Sequence, residues 1–158
     1  MAGSDGSRGY NRRMRFAAAV LLLSGLHVAV SLNSLSAAPV AQGKSTQDGV
    51  YSDAQAKRGE AAYTKSCAGC HGPDLAGADT APSLTGSEFN AGWTDQTLDD
   101  LFDRIKTTMP GDAPGSLPAD QCADILAFIL SKDGFPAGQN ELAPGPGLKD
   151  VKFVAQKK

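Results

Sequence analysis

No apolar run in this sequence is long enough for an ordinary membrane-spanning helix. The most apolar stretch, residues 16–30, is interrupted by serine, glycine and histidine, whereas a spanning helix needs about 20 predominantly apolar residues. Three arginines precede the stretch, and small residues follow it. This order predicts a signal peptide over residues 1–38, cleaved within 36–41, and an exported, soluble, periplasmic protein. An uncleaved amino-terminal membrane anchor is the alternative.

Basic residues are also scarce in the predicted mature chain. From Gln42 onward there are 11 Lys and Arg against 16 Asp and Glu, a formal net charge of −5. Residues 48–133 contain 6 Lys and Arg against 14 Asp and Glu, a net charge of −8. Such a chain repels nucleic acid, whose binding depends on neutralising phosphates. The acidic balance favours a partner with a basic face, or simply keeps the protein soluble.

Strand patterns are missing as well, and three helical patterns remain. The first runs from a Ser52 cap to about Ser66, and the second lies behind a Thr94 cap. The third is opened by Pro118 and stops before Gly134. Apolar residues at helical spacing mark the second and third helices: Leu98, Leu101, Phe102 and Ile105, then Cys122, Ile125, Leu126 and Ile129. The sequence therefore predicts an all-α fold.

Around these helices we expect a linker at 39–51, a domain at 52–134 and a Pro/Gly-rich tail at 135–158. The tail either clings to the domain through Phe135 and Leu142 or is loose. Residues 72–93 are rich in Gly, Pro, Ser and Thr and indicate a loop. A loop of about 20 residues in a compact domain usually has a function, such as wrapping a ligand. Small domains with few apolar side chains also tend to need a cofactor for stability.

Cysteine is rare, yet two of the three cysteines are grouped with a histidine: Cys70 directly precedes His71, and Cys67 lies three positions before Cys70. An oxidising compartment would join idle neighbouring thiols in a disulfide, so we expect these thiols to be used. A zinc site could recruit Cys122 as a fourth ligand, but no second ligand pair is present. Thiol–disulfide exchange expects a βαβ context that is absent here. The remaining use of C-x-x-C-H is attachment of a c-type haem.

In that use Cys67 and Cys70 form thioethers with one covalent haem, and His71 is directed at the iron. Removal of the signal leaves no other histidine, which excludes a second histidine ligand from this chain. Met109 is then the only methionine left, and it precedes a proline between two predicted helices. A thioether opposite imidazole raises the reduction potential and blocks the position that oxygen would need. Otherwise Met109 is a core residue.

The sequence resembles the class I c-type cytochromes over about residues 52–130. The residues that carry the resemblance are CAGCH at 67–71, PSLTG at 82–86, Trp93, Met109 with Pro110, and Phe128 in the last helix. The resemblance implies a small class I cytochrome c fold, with three to four short helices wrapped round one covalent haem.

The resemblance also implies roles for individual residues. The Pro82 carbonyl accepts a hydrogen bond from the His71 ring, and Leu84 packs on the haem. Trp93 donates to a haem propionate, unless it is an ordinary core aromatic. Gly59 lets the first and last helices cross closely near Phe128.

With both axial positions of the iron occupied, the predicted function is outer-sphere one-electron transfer, without transformation of a substrate. A haem enzyme or gas sensor with a displaceable Met109 is the alternative, beside the thiol–disulfide protein. A finer resemblance, over residues 114–138, is to cytochrome subunits or modules that serve quinoprotein (PQQ) dehydrogenases. It implies a dehydrogenase donor and an oxidase or another cytochrome as acceptor. Cys122 is expected to be a buried thiol or else to form an intermolecular disulfide.

Overall fold

The computed structural model describes residues 44–78 and 81–156. These residues form five α-helices and one 3-10 helix, and they contain isolated β-bridges but no strand. The helices are α1 (Asp53–Ser66), α2 (Ala68–His71), α3 (Gly86–Trp93), α4 (Leu98–Thr108), α5 (Ala119–Lys132) and the 3-10 helix Pro146–Asp150. The all-α prediction is confirmed. None of the helices described is long and apolar enough to cross a membrane. The predicted signal peptide, 1–38, lies outside the described residues.

Helix α1 begins and ends where the sequence predicts. The Ser52 side chain accepts a hydrogen bond from the Gln55 backbone N–H at 3.1 Å, which satisfies one of the free donors of the first turn. One face of the helix is buried, and it includes Ala56, Gly59 and Tyr63. The helix ends at Ser66, where Cys67 leaves helical geometry.

Helix α4 begins later than expected, because Thr97 and not Thr94 is its cap. Thr97 and Asp100 form a capping box, in which each side chain bonds the backbone N–H of the other. Thr94 instead donates its hydroxyl to the Asn90 carbonyl at the end of α3. The predicted apolar face is confirmed, since Leu98, Leu101, Phe102 and Ile105 are all buried.

Helix α3 occupies a segment that the sequence indicates as loop. Two glycines give this segment a poor intrinsic helix propensity. Tertiary contacts stabilise it instead: Phe89 is buried, with its ring centroid 6.0 Å from that of Phe153. The single turn α2 and this helix raise the number of α-helices above the predicted three to four.

The close crossing of α1 and α5 is confirmed. A Cβ atom on Gly59 would lie 1.9 Å from the Asp124 carbonyl oxygen and 2.9 Å from Cβ of Phe128, so only glycine fits. One turn further on, the Tyr63 and Phe128 rings pack with centroids 5.2 Å apart. This crossing fixes the end of α1, from which the C-x-x-C-H segment continues.

Residues 44–51 of the expected linker and residues 135–156 of the expected tail pack onto the helices. Phe135 and Leu142 are buried, as are Leu148, Val151 and Phe153 further along the tail. The Gln55 side chain exchanges two hydrogen bonds of 2.8 Å with the Leu142 backbone. Thr46 donates its backbone N–H to the Lys152 carbonyl at 3.0 Å, which joins the two ends of the described chain. The packed region therefore extends on both sides of residues 52–134.

Candidate haem site

The two neighbouring thiols lie on a single turn between α1 and the end of α2. The Cys67 carbonyl accepts hydrogen bonds from the backbone N–H groups of Cys70, at 3.1 Å, and His71, at 3.0 Å. Both thiols are free, with Cys67 half-buried and Cys70 exposed. His71 is only 7% exposed. The turn thus presents two thiols and one imidazole from five consecutive residues.

The His71 ring is oriented by a backbone carbonyl from the following loop. Its Nδ1 lies 2.9 Å from the Pro82 carbonyl oxygen. A carbonyl can only accept a hydrogen bond, so Nδ1 must carry the proton and Nε2 is left as the nitrogen with a free lone pair. Histidine ligands of metals typically have such a partner, which fixes the tautomer and the ring orientation.

The loop between His71 and Pro82 is folded back on itself by backbone hydrogen bonds. Gly77 donates to the His71 carbonyl and Leu84 donates to the Leu75 carbonyl, each at 2.9 Å. Leu75 is fully buried. At Gly77 φ is +81°, and an added Cβ would meet the backbone nitrogen of Ser83 at 2.6 Å. The loop needs glycine at this point to return toward His71.

The Tyr63 side chain forms a hydrogen bond with the residue after His71, a role that sequence reasoning missed. Its hydroxyl donates to the Gly72 carbonyl at 2.6 Å, directly after His71. Burial, with smaller contributions from Cys67 and Asp74, raises the pKa of Tyr63 to about 12. The helical face that contains Tyr63 is visible in the sequence, but its hydrogen bond to the loop is not.

Met109 lies half-buried at the end of α4, at the start of a loop that leads to α5. Its carbonyl accepts a hydrogen bond from the Gly115 N–H at 3.2 Å. The Lys106 ammonium donates to the Gly115 carbonyl at 3.0 Å, and Leu117 anchors the loop in the core. Within the described residues no hydrogen bond joins Met109 to His71. These hydrogen bonds and the buried Leu117 fix the backbone of the loop at Met109.

Two other expected site residues, Leu84 and Trp93, contact the hydrophobic core, and so does Cys122. Leu84 and Trp93 are partly buried against it, and the Trp93 ring centroid lies 6.3 Å from that of Phe89. The interpretation of Cys122 as a buried thiol is confirmed, since it is fully buried. Burial also raises its pKa.

The Cys67 thiol is poorly suited to thiol exchange. Burial, with smaller contributions from Cys122 and Cys70, raises the pKa of Cys67 to about 11. Reactive thiols of exchange proteins have lowered pKa values, because the thiolate is the nucleophile. Zinc fits no better, because among residues 44–78 and 81–156 no three His, Cys, Asp or Glu side chains gather in a metal-binding group.

The donor set fits covalent haem c. Two thiols on one turn are available for thioethers, and the adjacent imidazole has Nδ1 occupied by Pro82 and Nε2 available for a metal. A thioether from Met109 is a suitable soft ligand for haem iron.

Comparison with known proteins agrees with this chemistry. The sequence model of the family described as "Cytochrome C oxidase, cbb3-type, subunit III" matches residues 54–129. The chain is 31% identical over 93 residues to the cbb3-type cytochrome c oxidase subunit CcoP of Rubrivivax gelatinosus, over 54% of this chain. It spans 28% of the length of that relative.

Among solved structures, the sulfane dehydrogenase SoxCD from Paracoccus pantotrophus is similar at 23% identity and a TM-score of 0.40, covering 56% of this chain and 52% of the other. A likeness at this level carries no weight for fold or function. The matched family and the sequence relative support a class I c-type cytochrome domain with covalently bound haem c over residues 54–129.

Proposed function

We propose that this chain is an exported monohaem electron carrier. In this proposal Cys67 and Cys70 would hold haem c through thioethers, and His71 and Met109 would be the ligands of its iron. The observation that carries the proposal is the 2.9 Å contact between His71 Nδ1 and the Pro82 carbonyl. It gives the imidazole the tautomer and the support that a metal ligand needs. When bound, the haem supplies a one-electron ferrous/ferric couple.

The residues around the site favour a carrier over an enzyme. The Met109 loop is closed by its own hydrogen bonds through Gly115 and by Lys106. If Met109 ligates the iron, its sulfur occupies the position that an exogenous molecule would need. The competing function, a haem enzyme or gas sensor, needs Met109 to leave the iron readily.

The proposed route of electrons is from a periplasmic dehydrogenase to a respiratory acceptor. Residues 114–138 resemble cytochromes that serve quinoprotein dehydrogenases, which supports the donor. The relative in Rubrivivax gelatinosus is named as a subunit of an oxidase, which supports an oxidase, or a cytochrome that feeds one, as acceptor. The net charge of −8 over residues 48–133 suits a partner with a basic docking face.

An absorption spectrum with carbon monoxide challenge, together with the intact mass, tests the proposal on the exported protein. We expect a mass that exceeds the mature polypeptide by one haem. We also expect a weak thioether band near the red end of the ferric spectrum, and a ferrous spectrum that carbon monoxide does not change. The variant Met109→Ala is the matched control: it should lose the band and bind carbon monoxide.

Each contrary result points to a different alternative. Rapid carbon monoxide binding by the unmodified protein would show an enzyme or sensor. Free thiols at Cys67 and Cys70 without haem would show a thiol protein, and a mass that retains residues 1–38 would show an uncleaved anchor. Reduction of the haem by a purified quinoprotein dehydrogenase, measured at low and high salt, tests the proposed donor. An absence of reduction at low salt would exclude that donor.

A further inference from the structure

The Asp133 carboxylate joins the end of α5 to the beginning of α3. Asp133 is the C-cap residue directly after α5. Its Oδ1 accepts a hydrogen bond from the Gly86 backbone N–H at 2.8 Å, and its Oδ2 accepts one from the Asn90 side chain. Both oxygens of this half-buried carboxylate are therefore used by α3, 47 and 43 residues earlier in the chain.

Helix α3 has no side-chain cap of its own. Thr85 stands in the cap position but accepts no hydrogen bond from the first turn. An N-terminal turn exposes free N–H groups and the positive end of the helix dipole, and a carboxylate satisfies both. Asp133 thus supplies from another helix the cap that Thr85 does not provide.

Asn90 completes the link. Its side-chain N–H₂ group donates to the Gly86 carbonyl at 2.8 Å as well as to Asp133. Its side-chain oxygen is buried and has no hydrogen-bond partner in the described part of the chain. A buried acceptor without a partner is unfavourable. The two hydrogen bonds that the side-chain N–H₂ group donates therefore account for an asparagine at this position.

The capped residue lies four positions after Pro82, whose carbonyl orients His71. Between them, Leu84 donates to the Leu75 carbonyl at 2.9 Å and the Ser83 hydroxyl donates to the Thr85 carbonyl at 2.8 Å. Residues 82–86 are therefore fixed to the core at Leu84 and to α5 at Gly86. The Ser83 hydroxyl also lies 3.1 Å from the Leu75 carbonyl oxygen, so a change at Gly86 alters one of three attachments that place the Pro82 carbonyl.

We propose that Asp133 is a positioning residue for the haem ligand: by capping α3 it holds residues 82–86 in place, and with them the Pro82 carbonyl against His71 Nδ1. The proposal rests on ligation of the iron by His71. A firm hydrogen bond at Nδ1 makes the imidazole a more basic ligand and favours ferric iron. Loosening that bond should therefore raise the reduction potential.

The test compares Asp133→Ala with Asp133→Asn and with Asp103→Ala in the haem-loaded protein. Asp103 is exposed on α4, so its replacement removes the same charge without touching α3. We expect Asp133→Ala to speed exchange of the His71 Nδ1 proton, measured by NMR, and to raise the potential more than Asp103→Ala does. Asp133→Asn keeps an oxygen for Gly86 and should recover most of both properties.

If Asp133 only stabilises the fold, a different result is expected. Asp133→Ala would then lower the denaturation midpoint, while its potential and its His71 proton would match those of Asp103→Ala, and this result would overturn the proposal. If Asp133→Ala does not fold, Asn90→Ala removes one of the two contacts and should produce a smaller change in the same direction; no change would count against the proposal. If His71 does not ligate the iron, the spectrum of the unmodified protein already shows it. A failure of the proposed function is thus distinguished from a failure of the role proposed for Asp133.

Discussion

The α-carbon of Gly59 faces the Asp124 carbonyl so closely that a Cβ atom would lie 1.9 Å from the oxygen. This contact lies where α1 and α5 cross, next to the buried pair of Tyr63 and Phe128. Because the opposing atoms belong to the backbone, they cannot rotate away as a side chain would. The close packing of the two helices thus depends on the absence of a Cβ atom at Gly59.

Gly59→Ala should destabilise the fold, because the two helices must separate to admit the methyl group. We expect a loss of more than about 2 kcal/mol in the free energy of unfolding, as for overpacked core sites. Denaturant unfolding followed by circular dichroism measures it. Gly92→Ala is the matched control, since its Cβ meets nothing within 4 Å; there alanine should stabilise α3 by about 0.5–1 kcal/mol. Equal stabilities of the two variants would contradict the crossing.

Phe153→Ala tests whether the tail belongs to the core. Phe153 is fully buried, with its ring centroid 5.3 Å from that of Phe135 and 6.0 Å from that of Phe89. We expect a loss of about 3–5 kcal/mol, typical of removing a buried aromatic ring. Its neighbour Val154 is 40% exposed, so Val154→Ala should change stability by less than about 0.5 kcal/mol. If both variants unfold at the wild-type denaturant concentration, the tail does not contribute to the core.

Local periodicity explains which helices the sequence could predict. Helices α1, α4 and α5 carry apolar residues at helical spacing over 11 to 14 residues, so each pattern is readable without the rest of the chain. Helix α3 has eight residues and two glycines. Its stability comes from Asp133 and from Phe153, which lie more than 40 residues away, and no local pattern contains that information.

Local sequence patterns likewise predict only part of the candidate site. The spacing of Cys67, Cys70 and His71 is local, and it indicates haem attachment directly. The contact of His71 with Pro82 is expected only from the family resemblance, because Pro82 lies eleven positions further along the chain. The contact of Tyr63 with the Gly72 carbonyl has no signature in the sequence, since tyrosine on a buried face predicts core packing and nothing more.

Tyr63 should make stability depend on alkaline pH. Burial raises its pKa from about 10 in the unfolded chain to about 12 in the folded protein. A raised folded pKa means that the contribution of Tyr63 is complete below pH 10 and is lost as the pH rises through about 12. Tyr63→Phe also loses the hydrogen bond to Gly72, at a cost of about 0.5–1.5 kcal/mol at neutral pH.

The stability difference between wild type and Tyr63→Phe should therefore shrink above pH 10. Urea unfolding midpoints at pH 8, 10 and 11 measure this difference directly, and other alkaline titrations cancel because both proteins share them. A difference that stays constant across the three pH values would show that the Tyr63 hydroxyl is not buried as described.

Lys106 should control how firmly Met109 is held. Its ammonium donates to the Gly115 carbonyl at 3.0 Å, and Gly115 in turn donates to the Met109 carbonyl. Lys106→Met removes the donor but keeps the aliphatic stem. A hydrogen bond of about 1 kcal/mol corresponds to a roughly fivefold higher population of the opened loop. If Met109 ligates the iron, carbon monoxide should bind ferrous Lys106→Met about fivefold faster than wild type.

Arg104→Met is the control for that rate, because Arg104 is an exposed residue of the same helix with the same charge. It should leave the carbon monoxide rate near that of wild type, whereas Lys106→Arg, which still carries a donor, should restore most of the protection. The ferric thioether band should weaken in Lys106→Met alone. Equal rates in Lys106→Met and Arg104→Met would mean that the Met109 loop is held by its backbone hydrogen bonds and by Leu117, without help from the lysine.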